Sequence, residues 1–411
     1  MRPLSALLVA LLFVAAAVTP VAALTADRPA SIDSTHQSIT PLNNTTNQLA
    51  IPDSEVSRST YSDIGVDVGT AVQTGSAQLH QRHDALAFEA RFERADSNAA
   101  RNRLVNEQLA AVETQQAELD ARQDRAMRQY AVGTISAAEF LRVRMVVNAE
   151  AAELLSTLRS IDSAPDSEPG YALSAAATSQ LRTVEGELQT LNGPVGDRLR
   201  ADAAGASERS VYLEVSNGAY MLAASDGEKY LRETRLDYQR SASLPDQFLA
   251  AARNDSDTRF SAADERASEL YTWLYERQRP SFTYYGTSGI YELTATHPNG
   301  QLTAYIDAGT TNVFYEEQTR ELSGIETTST ETGVNGSLRV TVQRSVETGP
   351  LLVSATRNTT GDAVDATVSI NGQRVGSTGD DGFLWTVEPS GDYTVNVTAA
   401  DERTVLDIAD V

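Results

Sequence analysis

The stretch YAVGTISAAE, from Tyr130 to Glu139, lies between two segments whose apolar residues have helical spacing. Gly133 occupies the position at which a helix commonly ends with a residue in the left-handed conformation. Ser136 and Glu139 form the S-x-x-E capping box that begins a second helix. We therefore predict a helical hairpin whose turn is defined by Gly133, Ser136 and Glu139.

Core-type positions alternate at intervals of three and four on both sides of this turn. They are Leu109, Val112, Gln116, Leu119, Gln123, Ala126 and Tyr130 before it, and Phe140, Arg144, Val147, Ala151, Leu154, Leu158 and Ile161 after it. This alternation is typical of the seam of an antiparallel coiled coil. The seam either forms the core of the domain, which we favour, or offers a surface through which the helical region forms a homo-oligomer.

Further helices flank the hairpin. Helical spacing begins near Thr70 and is interrupted near Ser97. After Pro169-Gly170, residues 173–191 predict another amphipathic helix, and residues 195–204 predict a shorter one. The first half of the chain is therefore expected to be a helical bundle.

The apolar period changes from helical to two at Ser210. Asn217-Gly218 is a hairpin turn signal between residues 211–215 and 220–224, and a second hairpin is predicted around His297–Gly300. Between them, Trp273 and neighbouring aromatic residues have helical spacing, which favours a role in the core over a ligand platform. This pattern predicts a mixed α+β module.

Short apolar strands recur after residue 337. They are predicted near 338–342, 351–355, 366–370, 383–387, 393–397 and 404–408. Glycine-containing turns such as Asn371-Gly372 and Asp381-Gly382 separate them, so we predict an all-β sandwich. Asp380 and Asp381 are too few carboxylates for a calcium loop and are interpreted as a bare turn.

The N-terminus resembles a secretory signal. Arg2 precedes the apolar run Leu4–Val18, and Pro20 and Val21-Ala22-Ala23 follow, which predicts cleavage after Ala23. An uncleaved anchor formed by Leu4–Leu24 is the alternative. We expect a secreted or cell-surface protein with no membrane span after signal cleavage.

The composition is strongly acidic. The chain has 33 basic and 56 acidic residues and a formal net charge of -23, which disfavours nucleic acid as a partner. Lys229 is the single lysine, and this bias together with the acidic surface predicts a halophilic protein. Cysteine is absent, so disulfides and thiolate metal sites are excluded. His80 and His83 lack a third ligand in the sequence pattern and are interpreted as exposed.

Residues 25–62 are rich in Ser, Thr, Asn and Asp and are predicted to be a mobile spacer. N-x-[ST] sequons mark candidate glycosylation sites on an exported chain. These candidates are Asn43, Asn44, Asn254, Asn335, Asn358 and Asn396.

The order helix, strand, turn, strand in the middle of the chain, ending in the D-x-x-T-x-x-V string from Asp307 to Val313, resembles the PepSY-like module. This resemblance implies a small secreted regulatory or binding module, in some families a protease-inhibiting propeptide. It also implies that Asp307 and Thr310 stabilise a turn.

The string from Val364 to Gly372, with Gly379–Gly382 and Gly391–Val395, resembles the carboxypeptidase-regulatory-like, or prealbumin-like, sandwiches of surface proteins. The whole order of signal, helices, PepSY-like module and sandwich resembles an uncharacterised family of exported proteins from halophilic archaea. That resemblance implies no particular activity.

These observations predict a multidomain α+β chain. It would comprise a signal peptide (1–23), a disordered spacer (24–66), an antiparallel helical hairpin or coiled-coil bundle (67–206), a PepSY-like α+β module (207–322), a linker (323–336) and an all-β sandwich (337–411).

The sequence favours a structural or interaction protein over an enzyme. Neither a G-x-S-x-G elbow nor an H-E-x-x-H helix is present, and acidic pairs such as Glu316-Glu317 are too common to identify a catalytic pair. We therefore expect no catalytic residue, cofactor or metal, and an unidentified cell-envelope protein or glycan as partner. The alternatives are a hydrolase or inhibitor acting on extracellular polymers, and a binding or protease-inhibitor-like module that recognises peptide or glycan through the middle domain.

Overall fold

The helical hairpin around Gly133 is present in the computed structural model, which describes residues 39–40, 48–63, 65, 67–205, 210–252, 256–276 and 279–409. The helices of the first half are α1 (Val68–Glu93), α2 (Asn98–Ala131), α3 (Ala137–Ser163), α4 (Ala175–Gln189) and α5 (Pro194–Ala203). Gly133 has a φ of +81°. Ser136 and Glu139 form the reciprocal capping box at the start of α3. The turn prediction is therefore confirmed in its geometry.

The seam between α2 and α3 is packed inside the protein. Every seam residue predicted on α3 is buried, and on α2 the partly exposed Gln116 is the exception. Toward Ile161, the seam packs with α4 and with Phe88 and Phe92 of α1. Toward the turn, it packs with α5 and a β-sheet. The interpretation as intradomain packing is therefore correct, and the seam is not available for a homo-oligomer.

One antiparallel sheet of eight strands packs beside the helices. The strands from the N-terminus onward are β1 (Ile39–Thr40), β2 (Gln48–Leu49), β3 (Arg58–Ser62), β4 (Val211–Ser216), β5 (Ala219–Asp226), β6 (Lys229–Leu236), β7 (Ser281–Tyr284), β8 (Ile290–His297), β9 (Gly300–Asp307) and β10 (Val313–Glu321). The spatial order in the sheet is β3-β4-β5-β6-β10-β9-β8-β7, while β1 and β2 pair separately. Because β3 precedes the helices and β4 follows them, the sheet connects both halves of the chain.

The two faces of this sheet are covered differently. Apolar residues of β4 and β5 pack against α2, α3 and α5 on one face, which we call the helix face. The opposite face carries α6 (Gln247–Ala251), α7 (Ser256–Leu270) and α8 (Thr272–Tyr275). Tyr271 and Leu274 are buried there, and Trp273 packs edge-on against His297 with ring centroids 5.1 Å apart. The aromatic residues of this region are therefore core residues.

The C-terminal part is a sandwich of two four-stranded antiparallel sheets. Its strands are β11 (Ser329–Asn335), β12 (Leu338–Arg344), β13 (Pro350–Arg357), β14 (Thr367–Ile370), β15 (Gln373–Ser377), β16 (Phe383–Val387), β17 (Tyr393–Ala399) and β18 (Glu402–Ile408). The sheet orders are β11-β12-β13-β16 and β15-β14-β17-β18. The predicted fold class, a multidomain α+β chain ending in a β-sandwich, is confirmed.

The sandwich shares one hydrophobic core with the middle sheet. Polar contacts also cross the junction: Tyr61 donates a hydrogen bond to the carbonyl of Val387, and Tyr230 donates one to the carbonyl of Thr348. Residues 37–411 accordingly form one compact unit, and the predicted signal peptide lies outside the described residues.

Two predictions about connecting segments are wrong. The spacer predicted over 24–66 includes β2 and β3, and β3 covers the edge of β4, a strand about 150 residues later in the chain. The linker predicted over 323–336 includes β11, whose side chains are mostly exposed. Both are polar edge strands held by backbone hydrogen bonds, so they lack the apolar alternation by which strands are recognised in a sequence.

Four strands inside the predicted domains were also missed: β6, β7, β10 and β15. β6 contains charged residues on both faces, including Arg232 and Glu233, so it lacks the apolar alternation that predicts a strand. β15 contains Arg374 and Gly376 and forms the edge of its sheet. Charged residues in a central strand are uncommon, and their partners on other elements explain why they are tolerated.

Candidate functional site

Polar side chains occupy the part of the helix face that the helices do not fill with apolar residues. The register places Glu233 of β6 opposite Glu317 of β10, and Glu317 opposite Thr303 of β9. One step along the strands, Tyr305 of β9 pairs with Tyr315 and Glu292. Because alternate residues of a strand share a face, these side chains form one polar surface across four strands.

A cleft of about 400 Å³ lies over this surface, at the turn between α4 and α5. Its charged lining residues are Asp197, Glu292 and Glu317. Tyr285 and Tyr305 line it with amide side chains of Gln189 and other residues, and no Lys, Arg or His of the described chain belongs to its lining. We call it the polar cleft.

Gly193, which directly precedes α5, allows the start of this helix to approach the sheet at the polar cleft. A Cβ atom at Gly193 would collide with Oε2 of Glu233 and with the hydroxyl of Tyr315. Asn148 of α3 fixes this turn, because its Oδ1 accepts a hydrogen bond from the Gly193 N–H at 2.6 Å and its Nδ2 donates one to Asp197 at 2.8 Å. The wall of the cleft is therefore held by contacts from α3.

A buried ion pair lies behind this wall. Nη2 of Arg144 lies 3.0 Å from Oε1 of Glu233, and both side chains are fully buried. Arg144 also donates a hydrogen bond to Gln123, and its guanidinium lies over the ring of Tyr220. The other oxygen, Oε2 of Glu233, has no hydrogen-bond partner among the described residues. That oxygen lies against Gly193, which separates it from the polar cleft.

The carboxyl group of Glu317 is in an unfavourable environment for a charge. Burial raises its pKa well above the ordinary value, and the neighbouring carboxylates of Glu233, Glu292 and Asp197 raise it further. A hydrogen bond from Tyr315 opposes the rise. Burial and the carboxylate of Glu292 likewise raise the pKa of Tyr285, which donates a hydrogen bond to Glu292. The cleft thus concentrates negative charge without a cation of its own in its lining.

Glu316, the neighbour of Glu317 in sequence, has a different role on the opposite face. Its Oε2 accepts a hydrogen bond from Tyr271 at 2.6 Å, and its Oε1 accepts one from the Leu49 N–H at 2.9 Å. It therefore fastens β2 and α8 to the sheet. The alternation of a strand separates the two carboxylates, so they do not form a catalytic pair.

A second surface feature is an apolar row on α1. Val72, Leu79 and Leu86 are 65%, 72% and 59% exposed and are spaced seven residues apart. Phe88 and Phe92, further along the same helix, are buried against the rest of the bundle. We call the three exposed residues the α1 stripe. A groove of about 540 Å³ between α1 and α3 borders it.

The residues singled out from the sequence lie apart from the polar cleft. Asp307 accepts a hydrogen bond from the Thr310 N–H at 2.8 Å, the turn-stabilising arrangement that the resemblance to PepSY implied. His83 is exposed beside Asp84, and the side chain of His80 lies outside the described residues. No group of three His, Asp or Glu in the described part of the chain could hold a metal ion.

The sequons are distributed over the surface of the sandwich. Asn335 is exposed at the end of β11, and Asn358 and Asn396 are partly exposed and accept hydrogen bonds from arginine side chains. Asn43, Asn44 and Asn254 lie outside the described residues. The described sequons do not contribute to the cleft.

The sequence analysis missed the residues of the polar cleft. The signal was the period of two in β6 and β10, where Glu233, Arg235, Tyr315 and Glu317 occupy alternate positions. Polar residues occupy both faces of these strands, whereas a half-buried strand is recognised by the alternation of apolar and polar residues. The residues that bury these side chains and determine their charge environment come from α3, α5, β8 and β9.

Comparison with protein families gives three matches in chain order. Residues 1–208, about half of the chain, match the model described as Domain of unknown function (DUF7096). The chain belongs to the DUF7096 family. Residues 211–326 match a Family of unknown function (DUF7094), and residues 329–406 match an archaeal fibronectin-III type-like domain. No curated protein and no solved structure matched the chain.

These matches revise two family resemblances of this DUF7096 protein. The sandwich is fibronectin-III-like, which corrects the expected carboxypeptidase-regulatory-like family while leaving the β-sandwich in place. The middle region matches DUF7094, and no PepSY match accompanies it. The matched families support an archaeal protein whose C-terminal domain is of a structural or interaction type. Among the described residues, no helix is both long and apolar enough to span a membrane.

Proposed function

We propose that this chain is a secreted or cell-surface structural and interaction protein without catalytic activity, and that the α1 stripe is its contact with a second copy. The exposed α1 stripe is the observation that carries this proposal. The fibronectin-III-like domain supports an interaction role, and Phe88 and Phe92 anchor α1 in the core of the helical bundle.

A helix pair accounts for the spacing of the stripe. Val72, Leu79 and Leu86 follow the seven-residue repeat of packed helices, whereas the buried residues of α1 already face the bundle. In an isolated chain these three side chains remain in water, and burying each one would contribute about 1.5–3 kcal/mol. The α1 stripe of a second copy has the same seven-residue spacing and is equally apolar, so the two stripes can pack against each other.

The association test uses light scattering coupled to size-exclusion chromatography in molar salt. The wild-type chain should form a dimer, and the double substitution Leu79→Gln with Leu86→Gln should give a monomer. Val132→Gln is the matched control, because Val132 is 75% exposed but lies at the hairpin turn. A wild-type chain that is monomeric at every concentration, or that needs another envelope protein to associate, would overturn the pairing of two copies.

The proposed location rests on the sequence. Arg2 and the apolar run Leu4–Val18 support export, and the excess of acidic residues with a single lysine supports a halophilic environment. Cell fractionation with mass determination of the N-terminus tests cleavage after Ala23 against retention of an anchor. Recovery of the chain from the cytosol with its N-terminus intact would contradict export. The same spectra would show whether sequons such as Asn335 carry glycans.

A second proposed function is recognition of a peptide or glycan by the middle domain. The polar cleft is the observation that favours it, because clefts of this size with convergent polar groups are common ligand sites. The domain would then act as a binding or protease-inhibitor-like module. Ligand titration monitored by calorimetry tests it, and a flat response to both peptides and glycans would count against it.

A further inference from the structure

The polar cleft contains hydrogen-bond acceptors in excess of donors. Asp197, Glu292 and Glu317 contribute carboxyl oxygens, and their only neighbours in the lining are neutral side chains. The hydroxyl of Tyr285 donates to Glu292, and the hydroxyl of Tyr315 donates to the carbonyl of Asn192. The hydroxyl donors of these two tyrosines are therefore already used within the protein. A complementary ligand would bring its own donors.

A buried oxygen atom in the lining points to the same conclusion independently of the acidic residues. Oδ1 of Asn192, which lines the cleft, lacks a partner among the described residues. Behind Gly193, Oε2 of the fully buried Glu233 also lacks a partner and adds negative charge beside the cleft. Buried acceptors without partners are costly, and a ligand N–H group that reaches Asn192 would remove that cost at one of them.

The distribution of the carboxyl groups argues against a bare metal ion. Asp197 lies on α5, Glu292 on β8 and Glu317 on β10, and no three carboxylates or histidines of the described chain converge closely enough to hold an ion. A guanidinium group is planar and presents five N–H donors over a wider area. It also packs well against tyrosine rings, and those of Tyr305 and Tyr315 lie 5.4 Å apart at this surface.

We propose that the polar cleft binds a guanidinium group, the side chain of an arginine in a partner peptide, through the carboxyl groups of Glu292 and Glu317 and the ring of Tyr305. The inference rests on the second proposed function, recognition of a ligand by the middle domain. It specifies a cationic peptide rather than a glycan. A volume of about 400 Å³ accommodates one such side chain with part of its backbone.

A proton should leave the protein when the guanidinium binds. Burial and the carboxylates of Glu233, Glu292 and Asp197 raise the pKa of Glu317, so in the empty cleft its carboxyl group keeps a proton to higher pH than a carboxyl group in water does. Arg144 faces Glu233 from α3, and the nearby hydroxyl of Tyr315 limits the rise in the pKa of Glu317. A guanidinium in the cleft would favour the carboxylate form. Affinity is therefore expected to rise with pH until Glu317 is ionised without the ligand.

The test is calorimetric titration with Nα-acetyl-argininamide in molar salt, with Nα-acetyl-citrullinamide as the neutral analogue of nearly the same shape. The arginine compound should bind at least about tenfold more tightly than the citrulline compound, because only the former is charged. Titration in two buffers of different ionisation enthalpy should reveal proton release. Equal binding of the two compounds would overturn the inference.

Variants locate the site. Glu317→Gln and Glu292→Gln should each weaken binding of the arginine compound about tenfold or more, since each removes a charge-assisted hydrogen bond. Glu331→Gln is the control, because Glu331 is an exposed carboxylate on β11 far from the cleft lining. Circular dichroism should show that all three variants fold, and the use of two cleft variants protects the test if one does not. Unchanged affinity in both folded cleft variants would place the site elsewhere.

The outcomes separate this inference from the proposal on which it rests. A panel of methyl glycosides is titrated under the same conditions. If a glycoside binds and Glu317→Gln abolishes that binding while the arginine compound is inert, the middle domain recognises ligands but the cationic specificity is wrong. If neither class binds, both proposals fail.

Discussion

Arg144 of α3 and Glu233 of β6 form a fully buried ion pair, with Nη2 and Oε1 3.0 Å apart, that joins the helical region to the central sheet. The two residues belong to segments that match different family models, residues 1–208 and 211–326. The second oxygen of the same carboxylate lies against Gly193 in the wall of the polar cleft. Glu233 therefore contributes both to the contact between the two regions and to the support of that wall.

Removing one partner of this pair should strongly destabilise the protein. Arg144→Met leaves Glu233 as an uncompensated buried carboxylate, a change that typically costs about 3–5 kcal/mol. Denaturant unfolding followed by circular dichroism measures the loss. The double variant Arg144→Met with Glu233→Met should be more stable than the sum of the two single changes predicts. Additive effects would mean that the pair does not act as a unit.

The seam and the α1 stripe should respond differently to truncation. Leu154 is buried between the helices, so Leu154→Ala should lower the free energy of unfolding by about 2–5 kcal/mol. Leu79→Ala on the exposed stripe should change the stability of the isolated chain by less than about 0.5 kcal/mol. Both are measured by denaturant unfolding at a dilution at which the chain is monomeric. Similar losses for the two variants would contradict the assignment of the stripe to the surface.

The hairpin turn should tolerate asparagine at Gly133 better than valine. With φ at +81°, a β-branched residue at this position is strained, whereas asparagine adopts positive φ more readily. Removal of the cap by Ser136→Ala should cost about 1 kcal/mol. Thermal unfolding of the three variants gives the ranking. If Gly133→Val melts at the wild-type temperature, the turn does not depend on this conformation.

Stability should depend on pH through Glu388 in the sandwich. Burial raises the pKa of Glu388 from 4.5 to about 7, and the guanidinium of Arg344 offsets part of that rise. The folded state thus binds this proton more tightly than the unfolded state. The stabilisation is fully present below pH 4.5 and is lost as the pH rises through about 7.

Glu388→Gln should accordingly flatten the pH dependence of unfolding in this window. Denaturant midpoints are measured for the variant and the wild type at about pH 5 and about pH 8. The shift of the midpoint between the two pH values is then compared for the two proteins, and the difference between their shifts is the contribution of Glu388. Glu331→Gln on the exposed β11 serves as the control. A variant whose midpoints shift with pH as much as those of the wild type would show that Glu388 does not account for the dependence.

The segment before α1 should be necessary for a stable fold. A chain that begins at residue 67 lacks β3, which covers the edge of β4, and lacks Tyr61, which bonds to Val387 of the sandwich. We expect a lower melting temperature and aggregation through the uncovered edge. A chain that begins at residue 48 keeps both features and should melt close to the chain from residue 37. Equal melting temperatures for all three chains would mean that the segment before residue 67 is a spacer, as the sequence predicted.

Local sequence was sufficient for several elements of the fold. The turn at Gly133 and Ser136 depends on backbone conformation and capping within a few residues, and the hairpin at Asn217-Gly218 follows the same logic. The stripes of α2 and α3 identified buried positions correctly, including the polar Gln123 and Arg144. These predictions succeeded because each rests on interactions between residues close in sequence.

The edge strands and the cleft could not be found in this way. β3 is held by β4, and Glu317 derives its unusual environment from Glu233, Glu292 and Asp197 on three other elements. Nothing in the neighbourhood of Glu317 in the sequence distinguishes it from Glu316, which fastens β2 on the opposite face. A long-range contact leaves no periodic signal in the segment that makes it.

The sequence by itself determined that this protein has a capped helical hairpin, a change to strands near Ser210 and a final β-sandwich, because caps, turns and apolar periods are local. Only the tertiary structure decided that one sheet connects the matched regions, that Arg144 is neutralised by Glu233, and that three carboxyl groups meet in one cleft. Those outcomes depend on which distant segments pack together. Burial and charge then give the residues at these contacts their chemical properties.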